Sequence, residues 1–180
     1  MTLFSSCLRI KKELNINCAL LREVLSWWVP TREFIQVRQQ LVKLNCLDVS
    51  ICLGLSGGGN DVVFYSELCG EVGLLFPLRE IKVSDIIDRM RDFVGEVDNV
   101  QNVCRLYGLV CFAVLFFPMM SRTLTNLPFR LLDNLDTMRK YRWASYVHSF
   151  LISSLNRSST VYKEKSNEHT IFVSGSVAVV

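Results

Sequence analysis

The sequence predicts a mainly α-helical single domain around a central apolar helix, with at most short peripheral strands. Three observations lead there. Residues 106–117, bounded by Arg105 and Pro118, form an unbroken apolar run, and a helix that is apolar all round needs neighbours on most of its sides. Apolar residues on either side of that run recur at three- and four-residue spacing, the signature of helices with one buried face. The chain has 180 residues, 50% hydrophobic and 21% charged, enough for one core and too few for two of comfortable size.

Taken in order, residues 1–17 read as an N-terminal extension and 18–180 as the domain. Asn17 is placed to cap a helix over residues 18–28, with Leu21, Val24, Leu25 and Trp28 as its stripe and Pro30 ending it. Residues 31–44 are ambiguous: Phe34, Ile35 and Val37 suit a short strand, while Thr31 suits the cap of another helix. Residues 45–55 read as a short helix stopped by Gly54. The turn Ser56-Gly57-Gly58-Gly59-Asn60-Asp61 is the most flexible point expected in the chain. Residues 62–82 are poorly patterned, with a short strand at most near 62–65. Ser84 is placed to cap a helix over 85–93, and Asp98 or Asn99 one over 100–117, which Pro118 stops. Pro128 suits a first helical turn. Leu131, Leu132, Leu135 and Met138 then repeat at helical spacing, and Trp143, Val147, Phe150, Leu151 and Leu155 form a stripe over 143–156. Residues 158–170 read as a polar loop. Residues 171–180 turn apolar again, which leads to the expectation of a domain incomplete at its C-terminus and prone to self-association through uncovered apolar surface.

Charge and cysteine usage narrow the function classes. The net charge is +3, from 20 basic and 17 acidic residues, and nothing in that balance demands a polyanionic partner. The seven cysteines are odd in number, irregularly spaced and set in apolar context, which predicts reduced structural thiols rather than a secreted disulfide framework. No Cys-x-x-Cys pair occurs, and His148 and His169 are not at zinc spacing with cysteines. The expectation is therefore no metal, no cofactor, no secretion and a silent Asn156-Arg157-Ser158 sequon. The twelve residues 106–117 are short of the ~20 that a membrane span requires, so no membrane partner is expected.

The candidates for chemistry are few. The glycine turn lacks the lysine of a phosphate-cradling loop, and Asp61 brings a carboxylate where an anion would sit. Asp133 and Asp136 stand three apart on an expected helix face and, with Asp48 or Asp61, form an acidic set of the kind that holds a catalytic metal; helical ion pairs with the flanking Arg130, Arg139, Lys140 and Arg142 are the simpler reading. Arg139, Lys140 and Arg142, interleaved with Tyr141 and Trp143, also make a candidate interaction patch able to touch phosphates or stack on bases. For Trp143 the structural alternative is burial where this segment enters the last helix. His148 has no nucleophile near it in sequence.

Three ordered segments carry a family resemblance. Residues 46–58, Cys-Leu-Asp-Val-Ser-Ile-Cys-Leu-Gly-Leu-Ser-Gly-Gly, look like the "ED-V-x-x-x-LGLP-x-GG" element of the aminotransferase-like plant mobile domain. Residues 109–118, followed by Ser121 and Leu127, are similar to its apolar helix with an "LFP…S" turn. Residues 131–144 resemble its "L-x-D-LD-x-x-x-x-Y-x-WA" signature, and 173–177 the start of its terminal helix. Ser56 stands where that pattern has proline, and Ser176 where it has cysteine. The resemblance implies transposon ancestry, a nuclear location and a non-enzymatic interaction module that takes part with protein partners in gene or transposon silencing. The alternative it leaves open is the remnant of a catalytic or DNA-handling transposon protein that uses Asp133, Asp136 and the adjacent basic patch.

Overall fold

The computed structural model describes residues 7, 16–63, 70–76, 81–118, 123–124, 129–164 and 173–177. It is mainly α-helical with short peripheral strands, in the order α1 (Cys18–Trp27), β1 (Trp28–Val29), β2 (Phe34–Val37), β3 (Gln40–Lys43), α2 (Cys46–Leu53), α3 (Glu71–Leu74), β4 (Ile81–Lys82), α4 (Val83–Phe93), α5 (Val100–Cys111), a π-helical turn (Phe112–Phe116), β5 (Thr123–Leu124), α6 (Phe129–Leu132) and α7 (Trp143–Glu164). Pro128 and His169 lie outside the described residues.

Asn17 caps α1 as its chemistry requires, its side-chain oxygen accepting from the N–H groups of Ala19 and Leu20 at 3.1 Å each. The ambiguous stretch resolves as strands. Gln36 pairs with Leu41 and Ile35 with Val42 across a tight hairpin whose Arg38 takes φ 55°, and β1 adds Trp28 opposite Ile35. The strand order β1-β2-β3 leaves β3 at an edge. Helix α2 ends at Gly54, which takes φ 67° and closes back on the Ser50 carbonyl. Helix α4 begins a residue before the expected cap: Asp85, not Ser84, holds the entry by accepting from the N–H of Lys82 at 2.8 Å.

The central run departs from a plain α-helix. Its last turn is wide, with the N–H of Phe117 donating to the carbonyl of Phe112, five residues back, at 2.7 Å. Five residues overshoot a 3.6-residue turn, so in an unbroken α-helix Phe117 would face away from Phe112. The widened turn brings them together, with ring centroids 5.8 Å apart and Phe112–Phe116 at 5.9 Å. Leu106, Leu109, Phe112 and Phe116 are buried. Val97–Phe116 is long and apolar enough to cross a membrane by length and composition alone; here its inward face is the centre of the main core.

Two further expectations fail. The 131–138 repeat is not one helix: α6 stops at Leu132, and Asn134 takes over the backbone by accepting the Thr137 N–H at 3.3 Å and, through its carbonyl, the Thr137 hydroxyl at 2.9 Å. Leu132 and Met138 still reach the core from separate turns. Conversely, α7 does not end near Asn156 but continues through Glu164, because its polar residues find partners inside: the Ser159 hydroxyl donates to the Leu25 and Trp28 carbonyls at 3.1 and 3.4 Å, and Lys163 Nζ to Trp28 at 2.5 Å. A second cluster of Leu25, Trp28, Leu44, Leu151, Ile152 and Leu155 forms there. The described terminal residues dock on the same helix, with the Ser174 N–H on Ser154 Oγ at 2.7 Å.

Candidate functional site

The turn Ser56–Asp61 and the segment Lys140–Ala144 meet backbone to backbone. Asn60 donates to Lys140 at 2.6 Å, Arg142 to Asn60 at 3.0 Å and Ala144 to Ser56 at 3.0 Å. The glycine turn expected to be the most flexible point is therefore fastened at three places. Gly59 (φ 119°) makes this approach possible, since a Cβ there would lie 2.2 Å from the Lys140 carbonyl oxygen.

Every candidate residue can be placed relative to this junction. Trp143 is not a surface platform: it is 1% exposed, its ring lies 4.8 Å from that of Phe112, and its Nε1–H donates to the Met138 carbonyl at 2.7 Å. Arg139, Lys140 and Arg142 are exposed, and Arg142 grips Asp61 Oδ1 through Nε and Nη2, each at 2.6 Å. Because this guanidinium donates to it, the Asp61 carboxyl is held below its ordinary range. A carboxyl with a depressed folded pKa stabilises the fold above its unfolded pKa, and the benefit is lost as pH falls through the folded value. Accordingly, Asp61→Asn lowers the thermal midpoint slightly at neutral pH, and the difference from wild type closes on acidification below the ordinary carboxylate range; a gap that widens in acid contradicts the pairing. The pair is solvent-exposed, so the effect is small and weakens with salt.

The acidic pair is dispersed. Asp133 accepts the Val72 N–H at 3.2 Å and lies against Gly70, where an added Cβ would meet its Oδ2 at 2.1 Å. Arg105 binds the Asp133 carbonyl at 2.8 Å and Glu71 at 2.7 Å, so Asp133 works as the seam between α3, α5 and α6. Asp48 accepts the Asn45 N–H at 2.7 Å as part of the α2 entry. Asp136 is exposed on the turn after α6, so it shares no helix face with Asp133. Among the described residues no group of three or more His, Cys, Asp and Glu side chains is close enough to hold a metal ion. His148 Nε2 is 2.8 Å from the Leu44 carbonyl, which ties α7 to the start of α2.

The feature that sequence reasoning misses is apolar and outward. Helix α2 buries Val49 completely but leaves Leu47 66% and Ile51 72% exposed, one turn apart on its outer side. Immediately before it, all four residues of the edge strand β3, including Leu41 and Val42, are exposed. A depression at the tip of the hairpin is lined by Trp27, Val37, Arg38, Gln39 and Gln40, and Trp27 itself is 40% exposed. The i,i+4 spacing of Leu47 and Ile51 is the available signal. Leu74 and Val97 are also strongly exposed, so the molecule presents apolar surface capable of self-association.

A family model described as a domain of unknown function (DUF8566) matches residues 2–178. No curated protein matches the chain, and no solved structure does.

Proposed function

Because the chain belongs to the DUF8566 domain family, a family whose description names no reaction, we propose a function from its own surfaces: a non-enzymatic interaction module that docks a protein partner on α2 and the edge strand β3. The observation that carries this reading is the exposed pair Leu47 and Ile51 on a helix anchored from behind by Val49. Leu47 and Ile51 have the i,i+4 spacing at which a helix presents anchors to an apolar groove or a partner helix, and a free strand edge beside them offers backbone donors and acceptors. The resemblance to the plant mobile domain supports a transposon-derived module in a nuclear silencing complex. The expected outcome for the double variant Leu47→Glu/Ile51→Glu is an unchanged thermal midpoint, since both side chains already face water, together with at least about a tenfold loss of partner or self-association, as expected for paired central anchors. Sedimentation velocity and capture from nuclear extract measure it; association that survives both charges defeats the proposal.

One observation favours a second reading, a DNA-handling role. Arg139 and Lys140 are exposed on the turn that carries Arg142, and such a basic corner suits phosphate contacts. Duplex binding that weakens with salt and with Arg139→Ala/Lys140→Ala would support it. The dispersal of Asp133, Asp48 and Asp61 into structural contacts leaves its catalytic form without an assembled acidic site among the described residues.

A further inference from the structure

Trp28 stands opposite Ile35, and Ile35 opposite Val42, in one row across β1, β2 and β3. Directly opposed residues of antiparallel strands share a face of the sheet. That face looks inward: Trp28 and Leu44, two residues on from Val42, lie in the second apolar cluster, and Ile35 packs on it. Exposure nevertheless rises along the row, from 0% at Trp28 to 47% at Val42. An inward-facing row thus ends at an open edge, one strand short of closure.

The backbone of β3 is turned to receive that strand. Bonded and unbonded pairs alternate in an antiparallel ladder. The two-residue turn Arg38-Gln39 is closed by the bonded pair Val37–Gln40, so Ile35–Val42 is bonded too, and the N–H and C=O groups of Leu41 and Lys43 point to the open edge. The Lys43 carbonyl accepts from Asn45 Nδ2 at 3.3 Å and keeps a second lone pair. Proline, bulges and charges are the usual protections of an edge; β3 has only Lys43, at its last position and on the face away from Val42.

We propose that β3 is the pairing strand of a homodimer, joined antiparallel to β3 of a second copy of this chain about a two-fold axis at Val42. The outward groups set the register. Leu41 placed opposite Lys43 of the second copy, and the reverse, makes four backbone hydrogen bonds and sets the two Val42 side chains together in the closer, unbonded pair at the axis. The inward row then runs unbroken from one Trp28 to the other. Charge complementarity favours a second copy as the added strand. The same register brings Arg38, exposed at the hairpin tip, to the first turn of α2 of the second copy, a helix whose single charge is Asp48. By symmetry this meeting of cation and carboxylate occurs twice. The inference rests on the reading of α2 and β3 as a docking face and names what docks there.

The test uses the full chain. Under mild oxidation Val42→Cys is expected to give a dimer linked 42 to 42, a bond that only two copies can make, mapped by mass spectrometry on a non-reducing digest. Leu41→Cys is the control, because in this register its two copies lie on a diagonal about 7–8 Å apart, beyond disulfide reach. Leu41→Pro removes the outward N–H from both copies and takes no bond from β2. It should stay folded by circular dichroism while dimerisation, followed by sedimentation equilibrium, weakens at least about tenfold. A wild-type chain that sediments as a monomer overturns the proposal, as does a link through residue 41 in place of 42 or a dimer that Leu41→Pro leaves intact. The 42–42 map decides the matter even where Leu41→Pro does not fold. A monomeric wild type whose capture of another protein is abolished by Leu47→Glu/Ile51→Glu overturns the second copy and keeps the docking face; capture indifferent to both charges removes the face as well.

Discussion

Trp143→Ala destabilises the fold by about 3–5 kcal/mol, the range for a large aromatic removed from a packed interior. The side chain is 1% exposed and touches aromatic neighbours on two sides, Phe112 at 4.8 Å and Tyr141 at 6.1 Å between ring centroids. Its indole N–H also satisfies the Met138 carbonyl at the turn that leads into α7. Truncation therefore opens a cavity and orphans a buried acceptor together. Urea unfolding should show the midpoint falling with the slope unchanged, as for a loss of native stability alone. Trp143→Phe, which keeps most of the ring, should cost clearly less. An unaltered midpoint for the alanine variant would mean that the tryptophan is a surface ligand platform after all.

Gly59→Ala ranks second. The backbone there has φ 119°, and the new methyl would lie 2.2 Å from the Lys140 carbonyl oxygen and 2.8 Å from its carbon. Both are main-chain atoms, so no side chain can swing aside. The strained dihedral by itself costs about 1–3 kcal/mol, and relieving the clash must also stretch the neighbouring Asn60–Lys140 hydrogen bond. A loss of about 2–3 kcal/mol is expected from these effects together. Gly58→Ala is the control, because a Cβ at that position meets nothing within 4 Å; its stability should move by no more than about 0.5 kcal/mol. Equal effects at the two positions would show that the turn is loose and the close approach unimportant.

What the residues reveal in advance follows the range of the forces involved. Asn17, Gly54 and the stripes of α1 and α7 are legible because caps and helical periodicity act within a few residues of themselves. The π-helical turn is not, since it brings Phe112 and Phe117 to one aromatic cluster with Tyr146 and Phe150, partners about thirty residues away in sequence. The extension of α7 through Ser158 and Ser159 escapes the sequence for the same reason: a serine looks like a loop residue until the Leu25 and Trp28 carbonyls are known to be waiting for it. At the candidate site the chemistry of single residues is visible and their employment is not. Asp133 and Asp136 have the spacing of a helical pair, and the Asn134 turn separates them; Asp133 is then engaged by Val72, 61 residues earlier. The outward pair Leu47 and Ile51 stays hidden because an apolar residue on a short helix is ordinarily assigned to the core, and only the burial of Val49 settles which side of α2 faces in.

The 22-residue helix α7 runs about 33 Å at 1.5 Å per residue. Its first turns lie in one apolar cluster, through Trp143 and Val147, and its middle turns in the other, through Leu151, Ile152 and Leu155. A crack between the clusters would have to break this single rod between Val147 and Leu151. Among the described residues α7 thus joins the two clusters into one cooperative unit, and in native-state hydrogen exchange the slowest amides of both are released by the same global opening event.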